Sequence, residues 1–465
     1  MTHPAFDVPR ELLRKYATAA PRYTSYPTVV DWEEGFDTGS YPELLRQAAR
    51  SQGELSVYVH VPFCDERCLF CGCNVVITRS AERVERYLDR IERELDMLHE
   101  TGIGARRVHQ YHWGGGTPTH LDVAQIRRLH GIFASVFDLS PDAEAAVEVD
   151  PRVTSTEQIE ALAELGFNRI SLGVQDFDPR VQKAIKRVQS EEETRRIVDA
   201  ARAAGMRSCN VDLIYGLPHQ TRDAFAATVR RVIDMRPERV ALFHYAHVPW
   251  LKKHQTALPE EALPSADDKL FIFVDALEAF RAAGYVYIGL DHFALPGDEL
   301  ARAARDGSLR RNFMGYTTRR GSDTVAAGVS AIGEVAGAFV QNSANEAEYG
   351  ELVRERGFAT ARGHRLSADD RLRRDVILAL MCSGVVRKAE IEAAHGVSFE
   401  RVFAAELEAL RPLAADGLVE DDAGEVRLTD VGQLFMRNVA VVFDRYFQVR
   451  QARGESGRGT FSKTL

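Results

Sequence analysis

One segment decides how this chain folds: Tyr58-Val59-His60-Val61-Pro62-Phe63-Cys64-Asp65-Glu66-Arg67-Cys68-Leu69-Phe70-Cys71-Gly72-Cys73-Asn74. The chain has six cysteines in 465 residues, and four of them stand in this segment. Residues 55–63, just before the first cysteine, are largely apolar and predict a buried strand. The cysteines therefore follow the carboxyl end of a strand, which is the end that carries the chemistry in α/β folds.

Thiols this closely spaced indicate a bound inorganic group, and the spacing favours an iron–sulfur cluster. A structural zinc site usually takes two cysteine pairs from separate segments. Here all four thiols lie on one loop, and no second C-x-x-C or H-x-x-x-H follows. A disulfide framework is disfavoured in a long chain without a secretory signal. Zinc stays the alternative, as part of a zinc-stabilised structural protein.

The composition is that of an ordinary globular protein, with 45% hydrophobic and 27% charged residues. The net charge of −9 argues against sequence-independent nucleic-acid binding but allows an anionic small substrate. The sequence lacks a stretch of 18 apolar residues and a signal peptide, so we expect no membrane span and a cytoplasmic protein. Cys209 and Cys382 are isolated, and we expect them to be buried and unpaired.

A repeated pattern in the middle of the chain predicts alternating helices and strands. A helix ends in glycine, a bulky residue follows, and a strand begins within a few positions, at Gly166-Phe167, Gly205-Met206 and Gly284-Tyr285. This alternation, from about residue 55 to residue 290, predicts six or seven βα units with parallel strands. The pattern is compatible with a partial TIM-like barrel and with a doubly wound open sheet. Thr154-x-x-Glu157 predicts a capping box for one of the helices.

The pattern changes from about Leu366. Helical stretches near 367–383, 387–395 and 398–415 precede a predicted hairpin at 417–428 and one more helix. Helices followed by a small hairpin are typical of a winged helix, but the acidic composition favours a helical lid on the barrel over DNA binding. We predict an N-terminal arm (1–50), a barrel (51–360) and a smaller, mainly helical, winged-helix-like C-terminal domain (361–465).

Glycines and polar side chains stand where successive predicted strands end. They are Gly114, Gly115, Gly116 and Thr117, then Glu148 and Asp150, then Gln175 and Asp176, and finally Asp212. Glycines let a ligand approach the backbone amides, and an aspartate among apolar strand residues is costly unless it is paired. Singly, each residue is more often structural: a glycine run also forms tight turns, and Asp150 could cap a loop. Together they form the pattern expected of a polar cofactor site.

Cys64, Cys68 and Cys71 reproduce the motif C-x3-C-x2-C, and by it the chain resembles the radical S-adenosylmethionine (SAM) enzymes. The resemblance implies an incomplete βα barrel and a 4Fe-4S cluster held by these three thiolates. The fourth iron would bind SAM, which is cleaved to a 5′-deoxyadenosyl radical. Cys73 would then be part of the pocket wall rather than a ligand, because a fourth thiolate would close the open iron.

Further segments resemble one family among these enzymes, the oxygen-independent coproporphyrinogen III oxidases (dehydrogenases). The segments are 21–28, 71–74, 112–118, 173–177, 213–218, 291–293 and 312–318, so the resemblance covers nearly the whole chain. It implies oxidative decarboxylation of two propionates of coproporphyrinogen III to vinyls, which gives protoporphyrinogen IX in anaerobic haem biosynthesis. It also implies two bound SAM molecules. We further expect an arm that covers the substrate site, a flavodoxin or ferredoxin as electron donor, and a monomer.

The resemblance assigns SAM contacts by matched motif. The SAM on the cluster would contact Tyr58, Gly115, Glu148 and Ile332. The second SAM would contact Phe70, Gly116, Thr117, Gln175, Arg187, Asp212 and Ala246. Met314 stands where some members have glutamine, and a thioether replaces neither the donor nor the acceptor of an amide.

Arginine would suit the four carboxylates of this substrate, because its guanidinium matches a carboxylate fork. We predict that Arg22 helps to bind them, together with Arg311, Arg319 or Arg320; for Arg319 and Arg320 a solvated surface cluster is the favoured alternative. Two other functions stay open: a haem-binding or haem-transfer protein, and a radical SAM enzyme acting on another tetrapyrrole. Cys73 and the arm residues 22–26 favour the dehydrogenase.

Overall fold

The computed structural model describes residues 10–34, 36, 39–319 and 323–455. The strands are β1 (Glu33–Glu34), β2 (Leu55–Val61), β3 (Phe63–Cys64), β4 (Val76–Ile77), β5 (Val108–Gly115), β6 (Leu139–Val149), β7 (Arg169–Gln175), β8 (Ser208–Tyr215), β9 (Arg239–His244), β10 (Val286–Gly289), β11 (His292–Ala294), β12 (Arg310–Asn312), β13 (Gly315–Thr317), β14 (Asp323–Ala327), β15 (Ile332–Val335), β16 (Ala338–Asn342), β17 (Thr360–Arg365), β18 (Val385–Arg387), β19 (Val419–Asp421) and β20 (Glu425–Leu428).

The α-helices are α1 (Arg10–Tyr16), α2 (Tyr41–Ala49), α3 (Ala81–Glu100), α4 (Val123–Ala134), α5 (Thr156–Glu164), α6 (Pro179–Ala184), α7 (Glu191–Ala203), α8 (Arg222–Met235), α9 (Ala266–Ala282), α10 (Glu299–Asp306), α11 (Glu346–Arg356), α12 (Ala368–Ser383), α13 (Lys388–His395), α14 (Phe399–Val402), α15 (Ala404–Ala415), α16 (Asp430–Leu434), α17 (Met436–Ala440) and α18 (Arg445–Ala452). None of the described helices is long and apolar enough to cross a membrane.

Thirteen strands form one sheet in the order β1-β17-β16-β15-β14-β2-β5-β6-β7-β8-β9-β11-β10. From β14 to β9 every neighbouring pair is parallel. Six of these parallel strands occur along the chain in the same order as in the sheet. They are β2, β5, β6, β7, β8 and β9, and a helix separates each from the next parallel strand. A doubly wound sheet would reverse its strand order at a switch point. The unreversed order confirms the predicted α/β partial barrel, whose first and last strands do not pair within the described chain.

The barrel has six βα units, and the predicted strand near 286–290 does not add a seventh. Strand β10 begins at Val286, but the chain turns back at Leu290 and returns as β11. Strand β11 pairs antiparallel with both β10 and β9. So short a turn cannot provide the crossover that a parallel pair requires. The hairpin therefore ends the run of parallel strands.

One predicted helix cap is displaced by a residue. The capping box of α5 is formed by Ser155 and Gln158, not by Thr154 and Glu157. Thr154 is buried, and its hydroxyl donates to the carbonyl oxygen of Asp150 at 2.7 Å. Thr154 thus closes the loop after β6, which frees Ser155 to cap the helix.

The alternation of side chains along the strands separates an apolar outer face from a polar interior. On β5, Tyr111 and Trp113 are fully buried and pack against Phe133 and Phe167 on the helical side. His112, between them in sequence, lines a cavity of about 180 Å³ inside the barrel. Successive strand residues point to opposite faces of a sheet. The sequence of each strand therefore fixes which polar groups reach the interior.

The C-terminal region packs on the second half of the barrel rather than standing apart. Helices α12, α13 and α15 surround a three-stranded sheet of order β18-β20-β19. The predicted helix at 398–415 is broken at Phe403, and the segment after the hairpin contains three α-helices instead of one. Phe403 and Phe435 leave the helical backbone (φ −103° and −108°) and are fully buried. These breaks place both rings in the core.

The N-terminal arm is held between the barrel and the C-terminal helices. The Tyr23 hydroxyl donates to Asp444 at 3.0 Å, and Arg437 Nε donates to the carbonyl oxygen of Pro21 at 3.0 Å. Tyr16, Tyr23 and Phe435 belong to the same hydrophobic core as the apolar residues of β8 and β9. The arm is therefore part of the packed structure beside the barrel.

Candidate active site

The cysteine loop is fixed to the turn that follows β5. Strand β3 continues from β2 and carries Cys64 at its end, opposite Ile77 of β4. The amide of Thr117 donates to the carbonyl oxygen of Phe63 at 2.8 Å. The Thr117 hydroxyl lies 3.4 Å from the Cys64 sulfur. The first cysteine of the motif thus has a defined position at the carboxyl end of the barrel.

The glycines of this turn serve close packing. Gly115 has φ +124°, and a Cβ there would lie 2.7 Å from the His60 ring. A Cβ on Gly116 would lie 2.5 Å from the carbonyl oxygen of Pro62. Both amides already have acceptors, because Gly115 N donates to Glu148 Oε2 at 3.0 Å and Gly116 N to the Val61 carbonyl at 2.8 Å. The structure therefore contradicts the expectation that these two amides are open to a ligand.

Two arginines face the sulfur of the middle cysteine. Cys68 is 9% exposed, with Arg152 Nη2 at 3.6 Å and Arg187 Nη1 at 3.7 Å from its Sγ. Asp150 accepts from both guanidinium groups, at 2.7 and 2.9 Å. Burial raises the pKa of Asp150, but Arg187 and Arg152 outweigh it and hold that pKa below its ordinary value. The arginines would stabilise negative charge on the sulfur or on a group bound to it.

The other thiols differ in their protonation. Burial raises the pKa of Cys64 to about 11. A hydrogen bond from the Cys73 thiol lowers the pKa of Cys71 to about 6, and the same bond raises the pKa of Cys73. Cys71 is thus the more acidic thiol of this pair. Cys209 and Cys382 carry free thiols, and Cys209 is buried as expected while Cys382 is partly so.

The donor set of the loop suits an iron–sulfur cluster. The described residues contain no group of three or more His, Cys, Asp or Glu side chains gathered closely enough to hold a single metal ion. A 4Fe-4S cluster binds each thiolate through a different iron atom, so it does not require such convergence. A cavity of about 230 Å³ lies beside the loop and is lined by Cys64, Thr117, Asp150 and Arg152. Thiols, an adjacent cavity and buried cations fit an anionic cluster.

The predicted residues Tyr58, Glu148 and Asp212 come together on the inner face of alternate strands, β2, β6 and β8. The Tyr58 ring stacks on His112 at 5.8 Å, and His112 Nε2 lies 3.6 Å from Glu148 Oε1. Burial disfavours the Glu148 carboxylate, but His112 and the Gly115 amide keep its pKa below the ordinary value. Glu148 and Asp212 line the same barrel cavity. Burial and the charge of Glu148 raise the pKa of Asp212 to about 7.

Unpartnered buried atoms mark a second position next to Arg187. Gln175 ends β7 with φ +69°, and its Oε1 is buried without a hydrogen-bond partner among the described residues. Arg187 Nε is buried without a partner in the same part of the structure. Buried polar atoms are rarely left unpaired, so these two indicate room for a bound polar group. Asp176, by contrast, accepts from Gln220 at 2.6 Å and Thr228 at 2.5 Å and is structural.

Two predicted contact residues are joined by a residue that the sequence did not reveal. Gln255 Nε2 donates to the carbonyl oxygens of Phe70 at 3.0 Å and Ala246 at 3.3 Å. His254, next to it, lies 2.8 Å from the Cys71 carbonyl oxygen. These side chains come from a short 3-10 helix (Lys253–Ala257) that carries no motif, so no sequence signal distinguishes them. Arg152, which was not among the predicted site residues, could have been recognised from the sequence, because it follows Asp150 at a strand end.

Ile332 lies farther from the other predicted residues. It begins β15, which is separated from the strand of Tyr58 by β14. Its side chain belongs to a small apolar cluster with Trp32, Phe339 and Leu366.

Met314 lines the barrel cavity together with Glu148 and Asp212. The structure thus places a thioether among polar side chains at this position.

Arg22 is partly exposed and lies near two buried arginines, Arg311 and Arg437. It forms an ion pair with Asp291, and its guanidinium lies 5.5 Å from the centre of the Phe243 ring. Burial and the neighbouring charges of Arg437 and Arg311 lower the pKa of Arg22. Arg311 Nη1 is buried without a hydrogen-bond partner among the described residues. Three cations with one nearby carboxylate make this group suitable for an anion.

The remaining two candidate arginines do not join this group. Arg319 Nη1 lies 3.6 Å from Glu54 and 3.4 Å from Asp142, so its charge is already matched. Its side chain is only 17% exposed, so Arg319 is a paired residue rather than part of a solvated surface cluster. Arg320 lies outside the described residues.

Comparisons with known proteins agree with this geometry. Residues 58–232 match the model of the Radical SAM superfamily, and residues 366–435 match the HemN C-terminal domain. The oxygen-independent coproporphyrinogen III oxidase of Salmonella typhimurium is 43% identical over 450 residues, which are 96% of this chain and 97% of the relative. That of Pseudomonas aeruginosa is 44% identical over 438 residues, 94% of this chain and 95% of the relative. The structure of coproporphyrinogen III oxidase (HemN) from Escherichia coli, described as a radical SAM enzyme, matches with a TM-score of 0.90 and 40% identity over 95% of this chain and 100% of that chain.

Proposed function

This chain belongs to the family of oxygen-independent coproporphyrinogen III oxidases, which are radical SAM enzymes, and we propose that it converts coproporphyrinogen III to protoporphyrinogen IX. Two propionate side chains become vinyl groups in this reaction. Each conversion removes one hydrogen atom and one carbon dioxide and leaves one electron for an acceptor. The observation that carries the proposal is the C-x3-C-x2-C loop at the carboxyl end of the barrel, where Arg152 and Arg187 face Cys68.

The cysteine loop would hold one 4Fe-4S cluster through Cys64, Cys68 and Cys71. With SAM, the cluster would supply the one-electron cleavage that generates a hydrogen-abstracting radical. The low pKa of Cys71 supports its role as a thiolate ligand, and the hydrogen-bonding thiol of Cys73 supports a place outside the ligand set. Arg187 and Arg152 would compensate the negative charge of the loop from within the protein.

Two SAM molecules are part of the proposal. The first would contact Tyr58, Gly115, Glu148 and Ile332, and the second Phe70, Gly116, Thr117, Gln175, Arg187, Asp212 and Ala246. The ionised carboxylate of Glu148 supports binding of a cationic group. The unpartnered atoms of Gln175 and Arg187 support a second polar ligand nearby. The two sets meet where Asp212 is close enough for the charge of Glu148 to raise its pKa.

Substrate carboxylates would bind at the arm. Arg22 and Arg311 lie in the group with Arg437, and the only acid in direct contact with Arg22 among the described residues is Asp291. A substrate carboxylate would match the excess positive charge there. In this arrangement the arm (1–50) would cover the substrate site of the barrel (51–360), and the winged-helix-like C-terminal domain (361–465) would brace the arm through Arg437. Residues 1–9, 35, 37–38, 320–322 and 456–465 of these ranges lie outside the described residues.

The proposal also includes the oligomeric state, the cellular compartment and the electron donor of the enzyme. We expect a monomer in the cytoplasm that takes its electrons from a flavodoxin or ferredoxin. The six free thiols support a reducing compartment, because an oxidising one would favour disulfides. Nucleic acid is not an expected partner of a chain with a net charge of −9.

The test is an anaerobic reconstitution of the full chain with iron and sulfide, followed by SAM, dithionite and coproporphyrinogen III. Mass spectrometry should show the loss of two carboxyl groups together with 5′-deoxyadenosine, and Cys68→Ser should abolish both. Equilibrium dialysis should show two SAM molecules per chain. Tight haem binding without substrate-dependent SAM cleavage would overturn the proposal, and one SAM per chain would overturn the second site.

A further inference from the structure

Exposed apolar side chains are concentrated around the cysteine loop. Among the residues that the structure describes, seven large apolar side chains are exposed, and five of them lie on loops next to this one. The five are Ile77 (38% exposed), Val153 (39%), Val188 (71%), Trp250 (56%) and Leu251 (66%), which we call the collar. Single exposed apolar residues are normal, but a concentration of them marks an interaction surface.

The first three collar residues are tied to the cysteine loop by direct neighbours. Ile77 pairs with Cys64 between β3 and β4. Val153 lines the cavity of about 230 Å³ that Cys64 also lines. Val188 follows Arg187, whose guanidinium lies 3.7 Å from the buried cysteine sulfur. These three residues therefore lie on segments that adjoin the cysteine loop.

The other two belong to a turn that packs on the outer side of the loop. Trp250 and Leu251 immediately precede Lys252. Lys252 Nζ donates to the carbonyl oxygen of Cys73 at 3.3 Å. The two largest apolar groups of the collar are thus presented beside the exposed end of the cysteine loop.

The same segments carry an excess of positive charge. Apart from Asp150, Arg152 and Arg187, which pair with one another beside Cys68, the residues 65–80, 183–189 and 250–254 contain six Lys or Arg and two Asp or Glu, a local balance of +4. The whole chain has a net charge of −9. Lys183, Lys186 and Lys253 are exposed, as is Arg79. The collar is therefore an apolar surface with a basic rim in an otherwise acidic protein.

We propose that the collar is the docking surface for an acidic one-electron carrier protein that holds a flavin or an iron–sulfur centre. The carrier loses one electron and the cluster gains it, and no bond is formed or broken. This inference rests on the proposed function, since only a cluster at this loop needs an electron delivered there. Redox partners form small, weak interfaces, and charge complementarity speeds and orients their encounter. An apolar centre with a basic rim next to the cysteines meets these needs.

The proposal can be tested with oxidised flavodoxin as the probe and the reconstituted full chain. Binding is measured by titration over a range of salt concentrations. One variant combines Trp250→Ala with Leu251→Ala, and a second combines Lys183→Glu with Lys253→Glu. Val449→Ala and Arg411→Glu, exposed residues of the C-terminal region, are the matched controls.

We expect both collar variants to bind flavodoxin about tenfold more weakly, and the charge-reversed one to lose part of its salt dependence. The controls should bind like the unaltered chain. SAM cleavage driven by dithionite should be the same in all of them, because dithionite needs no docking surface. If dithionite drives no decarboxylation in the unaltered chain, the proposed function fails, and the binding data still decide the docking surface.

Three results would overturn the docking surface. The first is flavodoxin binding that the collar variants leave unchanged. The second is a higher KM for coproporphyrinogen III with dithionite and unchanged flavodoxin binding, which would make the collar a rim of the substrate site. Binding of the unaltered chain to anionic lipid vesicles but not to flavodoxin would assign the collar to a membrane surface instead.

Discussion

Arg187 Nη1 lies 3.7 Å from the sulfur of Cys68, although the two residues are 119 positions apart in the chain. Arg187 is only 6% exposed, and its other terminal nitrogen donates to the Gly173 carbonyl at 2.5 Å. The contact exists because β2 and β7 belong to one barrel and both loops leave its carboxyl end. The cysteine loop and the loop after β7 therefore form a single charged environment.

Replacing Arg187 by glutamine should slow SAM cleavage about 10- to 100-fold, the effect of losing a charge-assisted hydrogen bond. The cysteines would remain, so the iron content should not change. The measurements are 5′-deoxyadenosine formation and iron per chain. Arg180→Gln is the control, because Arg180 lies on the adjacent helix with its side chain 69% exposed. Loss of iron in Arg187→Gln would show instead that Arg187 supports the fold of the loop.

Serine at position 73 should be tolerated, whereas serine at position 71 should not. The pKa of Cys73 is raised, which favours a protonated thiol over a thiolate ligand, and a serine hydroxyl keeps the ability to donate a hydrogen bond. We expect Cys73→Ser to keep its iron and most of its activity, and Cys71→Ser to lose the cluster. Iron analysis and the electron paramagnetic resonance signal of the reduced protein report both. Equal iron loss in the two variants would make Cys73 a ligand.

The sequence predicted the alternating βα units because strand periodicity and helix-ending glycines are local signals. These signals left a doubly wound sheet open, and it was the family resemblance that implied the barrel. It did not predict that β10 turns back as β11, since Val286–Gly289 reads as a strand in either direction. The polar residues at strand ends were also visible locally, and several of them do meet. Gln255 and Arg437 were not visible, because each acts only through the tertiary fold. Arg437 contacts the arm across 416 positions of the chain.

Asparagine at position 212 should stabilise the protein at neutral and higher pH. Burial raises the pKa of Asp212 to about 7, so the folded protein keeps a proton that the unfolded chain releases above about pH 4. The free energy of unfolding therefore falls as pH rises through this window, and the loss is complete above about pH 7. Asp212→Asn removes the loss and keeps the contacts with Ser171 and Asn210.

Thermal unfolding between about pH 5 and pH 8 measures this effect. The difference in Tm between Asp212→Asn and the parent should grow with pH and level off above about pH 7. Glu408→Gln, at an exposed carboxylate, should show no such trend. A difference that is constant with pH would mean that Asp212 is ionised throughout this range in the folded protein.

Arg22→Gln should raise the KM for coproporphyrinogen III about tenfold or more, because one charge-assisted contact to a carboxylate is lost. Cleavage of SAM in the absence of substrate should change little, since Arg22 pairs with Asp291 and not with the cysteine loop. The single variant leaves the Asp291 carboxylate without its cation, which costs stability as well. An effect of Arg22→Gln on substrate binding must therefore be distinguished from an effect on the stability of the fold.

Adding Asp291→Asn to Arg22→Gln separates the two effects. The double variant has no unpaired acid, so its Tm should return towards that of the parent. If Arg22 binds the substrate, the KM of the double variant stays high although its Tm recovers. If Arg22 only neutralises Asp291, the KM recovers together with the Tm, and Arg22 has no part in binding the propionates. Steady-state kinetics and thermal unfolding of the parent, the single variant and the double variant give the answer.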